Sequence, residues 1–475
     1  MEKGAKKMIK SKVAKLLVMS SLVLTGLMAS ANAAIDKNLT TAEITEISKE
    51  AYIFGTPFMD NYRVFISRLV EKNPMMQGKD FNQFAHLKNL FPPQTPDTTQ
   101  RDTIFSLGIL DLRSEPVVIS VPDVAEGQVY MLQMGDTSTE TLPYISTRTT
   151  NNKAGNYVLV GPEYQGELDE SKFDGVITTR GQLIVMIGRT VVTDVDDLTI
   201  PRSIQDGMTI QAMSEFLGTK APEKANELTF IPWDEEKAQG IGAFEYINMA
   251  LAWQPTIKSE QDVMARFSRI GVIPGQDFST EGLSDDVIAA IKEGIAEAKQ
   301  DINRLIDEPA KTVGNWMWDT TDISRFGDDY LMRAGIAMKN IYPNAPDHAI
   351  YGQVAKYPDE RFITGKEGAQ IRFEAGQLPP VDWFWSLTLY ETETTAMYPN
   401  DTQRYNIGNK TKGLTLAEDG SLTLYIQAEE PTDKAKHSNW LPAPEGEVYM
   451  VLRLYGAKQE VVDGNWTPPA VTRIK

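Results

Sequence analysis

The sequence predicts a mixed, mainly β fold: an N-terminal β-sandwich unit, a helical domain, and a return to β structure toward the C-terminal end. Three observations carry this expectation. Short β runs recur between about Thr103 and Thr193, punctuated by Gly and Pro. Residues from about 200 to 340 repeat their apolar positions at helical spacing. Strand patterning then resumes from about Asp347. With 475 residues, 41% hydrophobic and 24% charged, the chain has the composition of a globular protein of roughly two to four domains.

Taken in order, the chain opens on an address. Lys3, Lys6, Lys7, Lys10, Lys12 and Lys15 form a basic region, an apolar run covers Leu16 to Met28, and Ala31-Asn32-Ala33 has the small-x-small form of a cleavage site. Residues 1–33 therefore read as a secretory signal peptide; the alternative, an uncleaved anchor, needs a longer apolar run. The expected location is the periplasm or the outside of a bacterial cell. The formal net charge is −18, and the signal carries six Lys and one Glu, so the remaining chain sits at −23.

Residues 34–100 form a helical, loop-rich entry segment. Thr40-Thr41-Ala42-Glu43 has the form of a capping box, and Ile44, Ile47 and Ala51 follow at helical spacing. Pro57 lacks an N–H and is expected to interrupt this helix, which resumes through Phe58, Tyr62, Phe65 and Leu69. Residues 101–200 form the sandwich unit, with strands expected at Val117–Val121, Gln128–Met134, Asn156–Val160 and Leu183–Ile187.

Residues 201–345 form the helical domain. Its clearest helix starts after Ser284, with Asp285 and Asp286 at the positive dipole end and Ile288, Ile291, Ile295, Ala298, Ile302, Leu305 and Ile306 on one face. Met249, Trp253, Trp316 and Trp318 read as core. Residues 346–475 return to strands. Trp383–Tyr390 places Trp383, Trp385, Leu387 and Leu389 on one face, Asp419-Gly420 signals a hairpin between Leu414–Leu416 and Leu422–Ile426, and Val448–Tyr455 is a further strand.

Composition excludes whole classes of chemistry. Without Cys there are no disulfides, thiolate nucleophiles, Cys-bound zinc or iron–sulfur clusters. Three His leave little room for a His-built metal site, and no metal site is expected. The acidic balance opposes nucleic acid and anionic lipid as partners. After signal cleavage no stretch has the length and apolarity of a membrane span. Walker, GxSxG, HExxH and Rossmann patterns are missing, and the sequence leaves any cofactor unknown. A carboxylate pair acting on a glycan stays allowed, with too many acids to choose one.

Several ordered motifs carry a family resemblance. Phe81-Asn82-Gln83-Phe84-Ala85-His86-Leu87, Gln100-Arg101-Asp102-Thr103-Ile104-Phe105-Ser106, Ser120-Val121-Pro122-Asp123, Tyr144-Ile145-Ser146-Thr147-Arg148-Thr149 and Val160-Gly161-Pro162 resemble domain of unknown function 1254. Leu378-Pro379-Pro380, Ser421–Gln427, Asn439-Trp440-Leu441-Pro442-Ala443-Pro444 and Leu452-Arg453-Leu454-Tyr455 resemble its companion, domain of unknown function 1214. Many relatives read Asn-Arg-Asp-Thr or Asn-Asn-Asp-Thr where this chain has Gln100-Arg101-Asp102-Thr103. The resemblance implies a β-sandwich unit, a helical domain and a C-terminal jelly-roll-like β-sandwich. It implies no reaction.

Arg101-Asp102-Thr103 is the leading site candidate. Arg101 offers a planar cationic fork for a carboxylate, phosphate or sugar acid, and Asp102 a general base or an Arg partner. The structural alternative is that Asp102 caps the turn into the next strand, helped by Thr103, with Arg101 paired to it. His86 is a candidate acid–base group or a locally satisfied His. Tyr144 and Arg148 bracket either a polar binding edge or a cross-strand ladder. Trp440 either stacks a sugar or pins a loop with Pro442 and Pro444. Asp194, Asp196 and Asp197 lack the pattern of a calcium loop and read as a solvated acidic turn.

Three functions are compatible with these residues. The first is an exported protein binding a carbohydrate or small organic acid at sandwich loops. The second is a hydrolase or lyase using His86, Asp102 and Arg101 as base, orienter and anion clamp. The third is a structural surface protein assembled as a homo-oligomer.

Overall fold

The computed structural model describes residues 35–308 and 311–474. The signal-peptide features lie outside the described residues. The first sandwich is built from β1 (Ala85–His86), β2 (Thr103–Asp111), β3 (Val117–Val121), β4 (Tyr130–Gly135), β5 (Ile145–Ser146), β6 (Gly155–Val160), β7 (Gly175–Thr178), β8 (Leu183–Val191) and β9 (Thr209–Ala212). One sheet runs β1-β2-β8-β4-β5 and the other β7-β6-β3-β9.

Alternation along the strands explains the layers. Leu110, Ile184 and Met186 face Val117, Ile119 and Leu159 of the second sheet in one core. Their neighbours Ile109, Leu183 and Val185 point the other way and join the core of the helices. The larger sheet is thus a middle layer, apolar on both faces.

The helical layer centres on the helix Thr41–Phe65, which packs against Ala243–Leu251, Asp285–Asp307 and Tyr330–Asn340. The capping box forms: Thr40 Oγ1 accepts from Glu43 N at 3.2 Å, and Glu43 Oε2 accepts from Thr40 N at 2.8 Å. Ser284 caps its helix by accepting from Val287 N at 3.4 Å. Pro57 does not interrupt the first helix, contrary to expectation. Residues 54–62 are buried on every side, so packing holds the helix where a hydrogen bond is lost. Thr56 Oγ1 also donates to Tyr52 O at 2.7 Å, and Asn61 Nδ2 to Pro57 O at 2.9 Å.

The second sandwich comprises β10 (Thr312–Val313), β11 (Trp316–Trp318), β12 (Ala349–Val354), β13 (Ala369–Phe373), β14 (Val381–Glu391), β15 (Asn406–Gly408), β16 (Leu422–Gln427), β17 (Trp440–Pro442), β18 (Val448–Ala457) and β19 (Thr472–Arg473). Its sheets run β10-β11-β12-β18-β14-β15 and β17-β16-β13-β19. Trp316 and Trp318 are core, as expected, but in a strand of this sandwich and not among the helices.

Trp383 departs from its expected face. A bulge between Val381 and Phe384 shifts the register of β14 against β18. Trp385, Leu387 and Leu389 stay in the sandwich core, while Trp383 and Phe384 turn to the patch where the two sandwiches meet. The Asp419-Gly420 turn forms, with Gly420 at φ +80°. Leu414–Leu416 is not a strand, because Asn439 holds Thr415 through its N–H at 2.9 Å and its C=O at 2.7 Å. Among the described residues no helix is long and apolar enough to cross a membrane.

Candidate functional site

The site begins at the turn into β2. Gln100 Oε1 accepts from the backbone N–H of Asp102 and, at 2.9 Å, from that of Thr103. Gln100 Nε2 donates to Thr103 Oγ1 at 2.5 Å. The carboxamide of Gln100 therefore organises the turn, the task expected of Asp102. Thr103 is buried and serves that turn. The Asp102 carboxylate is released to reach the second sandwich.

There it meets residues about 300 positions away in sequence. Its Oδ2 accepts from Ser386 Oγ at 2.7 Å, and its Oδ1 from Asn406 Nδ2 at 2.9 Å. Lys410 Nζ stands 3.9 Å from Oδ1. Arg101 is not paired with Asp102, contrary to the structural alternative. Its Nη1 donates to Phe91 O at 2.9 Å, and its guanidinium lies over the Tyr405 ring at 5.4 Å.

Around this contact opens a cleft of about 260 Å³. One wall is Arg101, Asp102 and residues 192–196; the other is Ser386, residues 402–406 and the loop from Gly408 to Lys412. Four cationic side chains and three carboxylates line it, against a net charge of −18 for the whole chain. Two of the cations are committed. Arg404 Nη1 donates to His437 O and Trp440 O at 2.9 and 2.7 Å, and Lys412 pairs with Asp194 at 2.7 Å. Arg101 and Lys410 remain. Lys410 Nζ donates to Val192 O at 2.9 Å and sits 3.7 Å from the centroid of the Phe384 ring. Burial pushes Lys410 down to about 8, against a smaller opposing pull from Asp102.

His86 is not brought to this cleft. Its Nδ1 bonds Ser106 Oγ at 2.8 Å, its ring stacks on Phe84 at 4.9 Å, and burial pushes it down to about 4. The grouping of His86 with Asp102 and Arg101 therefore does not form: the β1–β2 pairing fixes His86 opposite Ser106, further along β2. Tyr144 is buried where the sandwiches meet, its ring 3.7 Å from that of His348 and its oxygen accepting from Ala345 N at 3.0 Å. Arg148 pairs with Asp382 at 3.0 Å beside Trp383. Both tie the sandwiches together and neither lines the cleft. Trp440 is 8% exposed and donates from Nε1 to Gln427 O at 2.9 Å, which pins its loop.

No motif in the sequence marks Ser386, Asn406 or Lys410. Asn409-Lys410-Thr411-Lys412-Gly413 looks like a solvated loop, and nothing local marks Lys410 as enclosed.

The description "Protein of unknown function (DUF1254)" belongs to a family model matching residues 81–212, and "Protein of unknown function (DUF1214)" to one matching residues 348–459. The crystal structure of the VPA0106 protein from Vibrio parahaemolyticus is similar over 91% of this chain and 100% of its own, at 25% identity and a TM-score of 0.74. That of an uncharacterized protein from Burkholderia cenocepacia is similar over 91% and 94%, at 11% identity and a TM-score of 0.44. The chain matches no curated protein.

Proposed function

We infer that this chain, which carries the unknown-function regions 1254 and 1214 together, binds a small polar molecule bearing a carboxylate, such as a sugar acid or another organic acid, in the cleft between its two sandwiches. One observation carries the reading. Each region supplies one wall: Arg101, Asp102 and residues 192–196 fall within 81–212, and Ser386, Asn406 and Lys410 within 348–459. Neither wall alone is a site.

The chemistry of the lining selects the ligand class. Arg101 keeps most of its fork unused among the described residues, and a planar fork suits a carboxylate in two-point contact. Tyr405 and Asn406 add an aromatic face and an amide for hydroxyl-rich neighbours of that carboxylate. We further propose that residues 1–33 direct export, so that the ligand is met outside the cytoplasm.

A thermal-shift panel of sugar acids and organic acids tests the reading on protein whose N-terminus is shown to begin at Ala34. A ligand at a hundred times its Kd adds about 2.7 kcal/mol to stability and raises Tm. Arg101→Met is expected to remove that shift while leaving the unliganded Tm within a few degrees. A panel without any shift, or an unchanged shift in Arg101→Met, would sink the reading.

A further inference from the structure

Lys410 is enclosed with only a distant counter-charge. Its side chain is 21% exposed, and as an ammonium it has one close oxygen acceptor among the described residues, Val192 O at 2.9 Å. Its nearest carboxylate oxygen, Asp102 Oδ1, is 3.9 Å away and already accepts from Asn406, while Oδ2 accepts from Ser386. The Phe384 ring covers another side. The nearby Asp194 is taken by Lys412. The ring face and Asp102 both attract the ammonium, but the loss of water on entering the cleft outweighs them, which favours the free amine.

We propose that Lys410 is the reactive group of the cleft, an amine that forms a reversible imine with the carbonyl carbon of an acid-bearing ligand. The inference rests on the carboxylate-binding reading above: Arg101 holds the carboxylate and Lys410 meets an aldehyde or ketone on the same molecule. The nitrogen lone pair forms the C–N bond. The carbonyl oxygen departs as water, taking the two protons of the amine, so no oxidant or reductant enters. Hydrolysis restores both partners. The lowered basicity of Lys410 agrees with this role, since it leaves about a tenth of the side chains as free amine at pH 7. Lys412 contrasts with it, being 82% exposed and pushed above the ordinary lysine value by Asp194.

The test uses the whole protein with glyoxylate, which carries an aldehyde and a carboxylate, and sodium cyanoborohydride to reduce the imine to a stable secondary amine. Peptide mapping then reads each lysine. At pH 7, Lys410 is expected to be labelled at least about tenfold faster than Lys412, with a half-maximal rate near pH 8. Lys410→Arg should lose that peptide's label and keep the unliganded Tm. Propanal, lacking a carboxylate, separates the two readings. Fast labelling of Lys410 by both aldehydes upholds the amine and counts against carboxylate selection. Preference for glyoxylate upholds both. Labelling of Lys410 no faster than that of exposed lysines with either aldehyde overturns the proposal, whatever the thermal-shift panel shows.

Discussion

Asp60 shows how one buried carboxyl sets a pH dependence. It lies on the first helix and is 8% exposed. Its Oδ1 meets Arg63 at a loose 3.4 Å, and its Oδ2 has no hydrogen-bond partner among the described residues. Burial pushes its pKa up to about 6, from an ordinary value of 3.8. The folded state therefore holds this proton more tightly than the unfolded chain. The stability it contributes is present below about pH 4 and is lost as pH rises through 6. Asp60→Asn removes the ionisation, so it is expected to stabilise the protein by about 3 kcal/mol at pH 8 and by almost nothing at pH 3.5. Urea unfolding at the two pH values reads the difference, and an equal effect at both would refute the assignment. At this scale the sequence is only half legible. Arg101-Asp102-Thr103 stood out because turn chemistry is local. The partners of Asp102 come from β14 and β15, and chain separation hides such contacts.

Elements show the same division. Capping and periodicity are local, and both are legible in Thr41–Phe65 and Asp285–Asp307. The passage of the first helix through Pro57 depends on what surrounds it, which no local pattern reports. Gly294 is a second case. In an exposed helix, Gly→Ala stabilises by about 1 kcal/mol. Here a Cβ at residue 294 would lie 2.2 Å from Thr45 O and 2.9 Å from Lys49 N, both backbone atoms of the first helix. Neither can rotate away, so the two helices would have to separate along a long contact. The steric term outweighs the propensity gain, and Gly294→Ala is expected to destabilise by about 2 kcal/mol or more, as overpacked cores do. Denaturant titration checks the sign. A stabilised variant would mean that the helices move apart at little cost.

Across the whole molecule, the helical layer and the first sandwich meet over a buried set of charges. Arg333, on the helix Tyr330–Asn340, is 0% exposed and lies over Phe54 and Tyr330 at 5.0 and 4.9 Å. None of its three nitrogens has a hydrogen-bond partner among the described residues, and Glu260 is its nearest carboxylate at 4.0 Å. Arg180 bonds the same Glu260 oxygen at 2.8 Å. Asp136 is fully buried below them, its Oδ1 taken by Ser138 and Glu140 N–H groups, and Glu140 accepts from Phe326 and Gly327. Burial pushes both Asp136 and Glu140 upward, and both arginines pull them back. Two cations thus hold two buried acids and the half-buried Glu140, and Arg333 matters for the field it provides more than for any bond it makes. Arg333→Met should leave those acids under-compensated and cost about 3–5 kcal/mol at pH 8, the usual result of removing one partner of a buried pair. The deficit should shrink at pH 4.5. Without Arg333 the carboxyls of Asp136 and Glu140 rise further, protonate in the folded state, and need no counter-charge. Adding Asp136→Asn should return part of the loss, and a double-mutant cycle isolates that coupling. If Arg333→Met unfolds no more easily than the parent at pH 8, the cation is only a core side chain among aromatics, and the charge balance across this junction is not what holds the layers together.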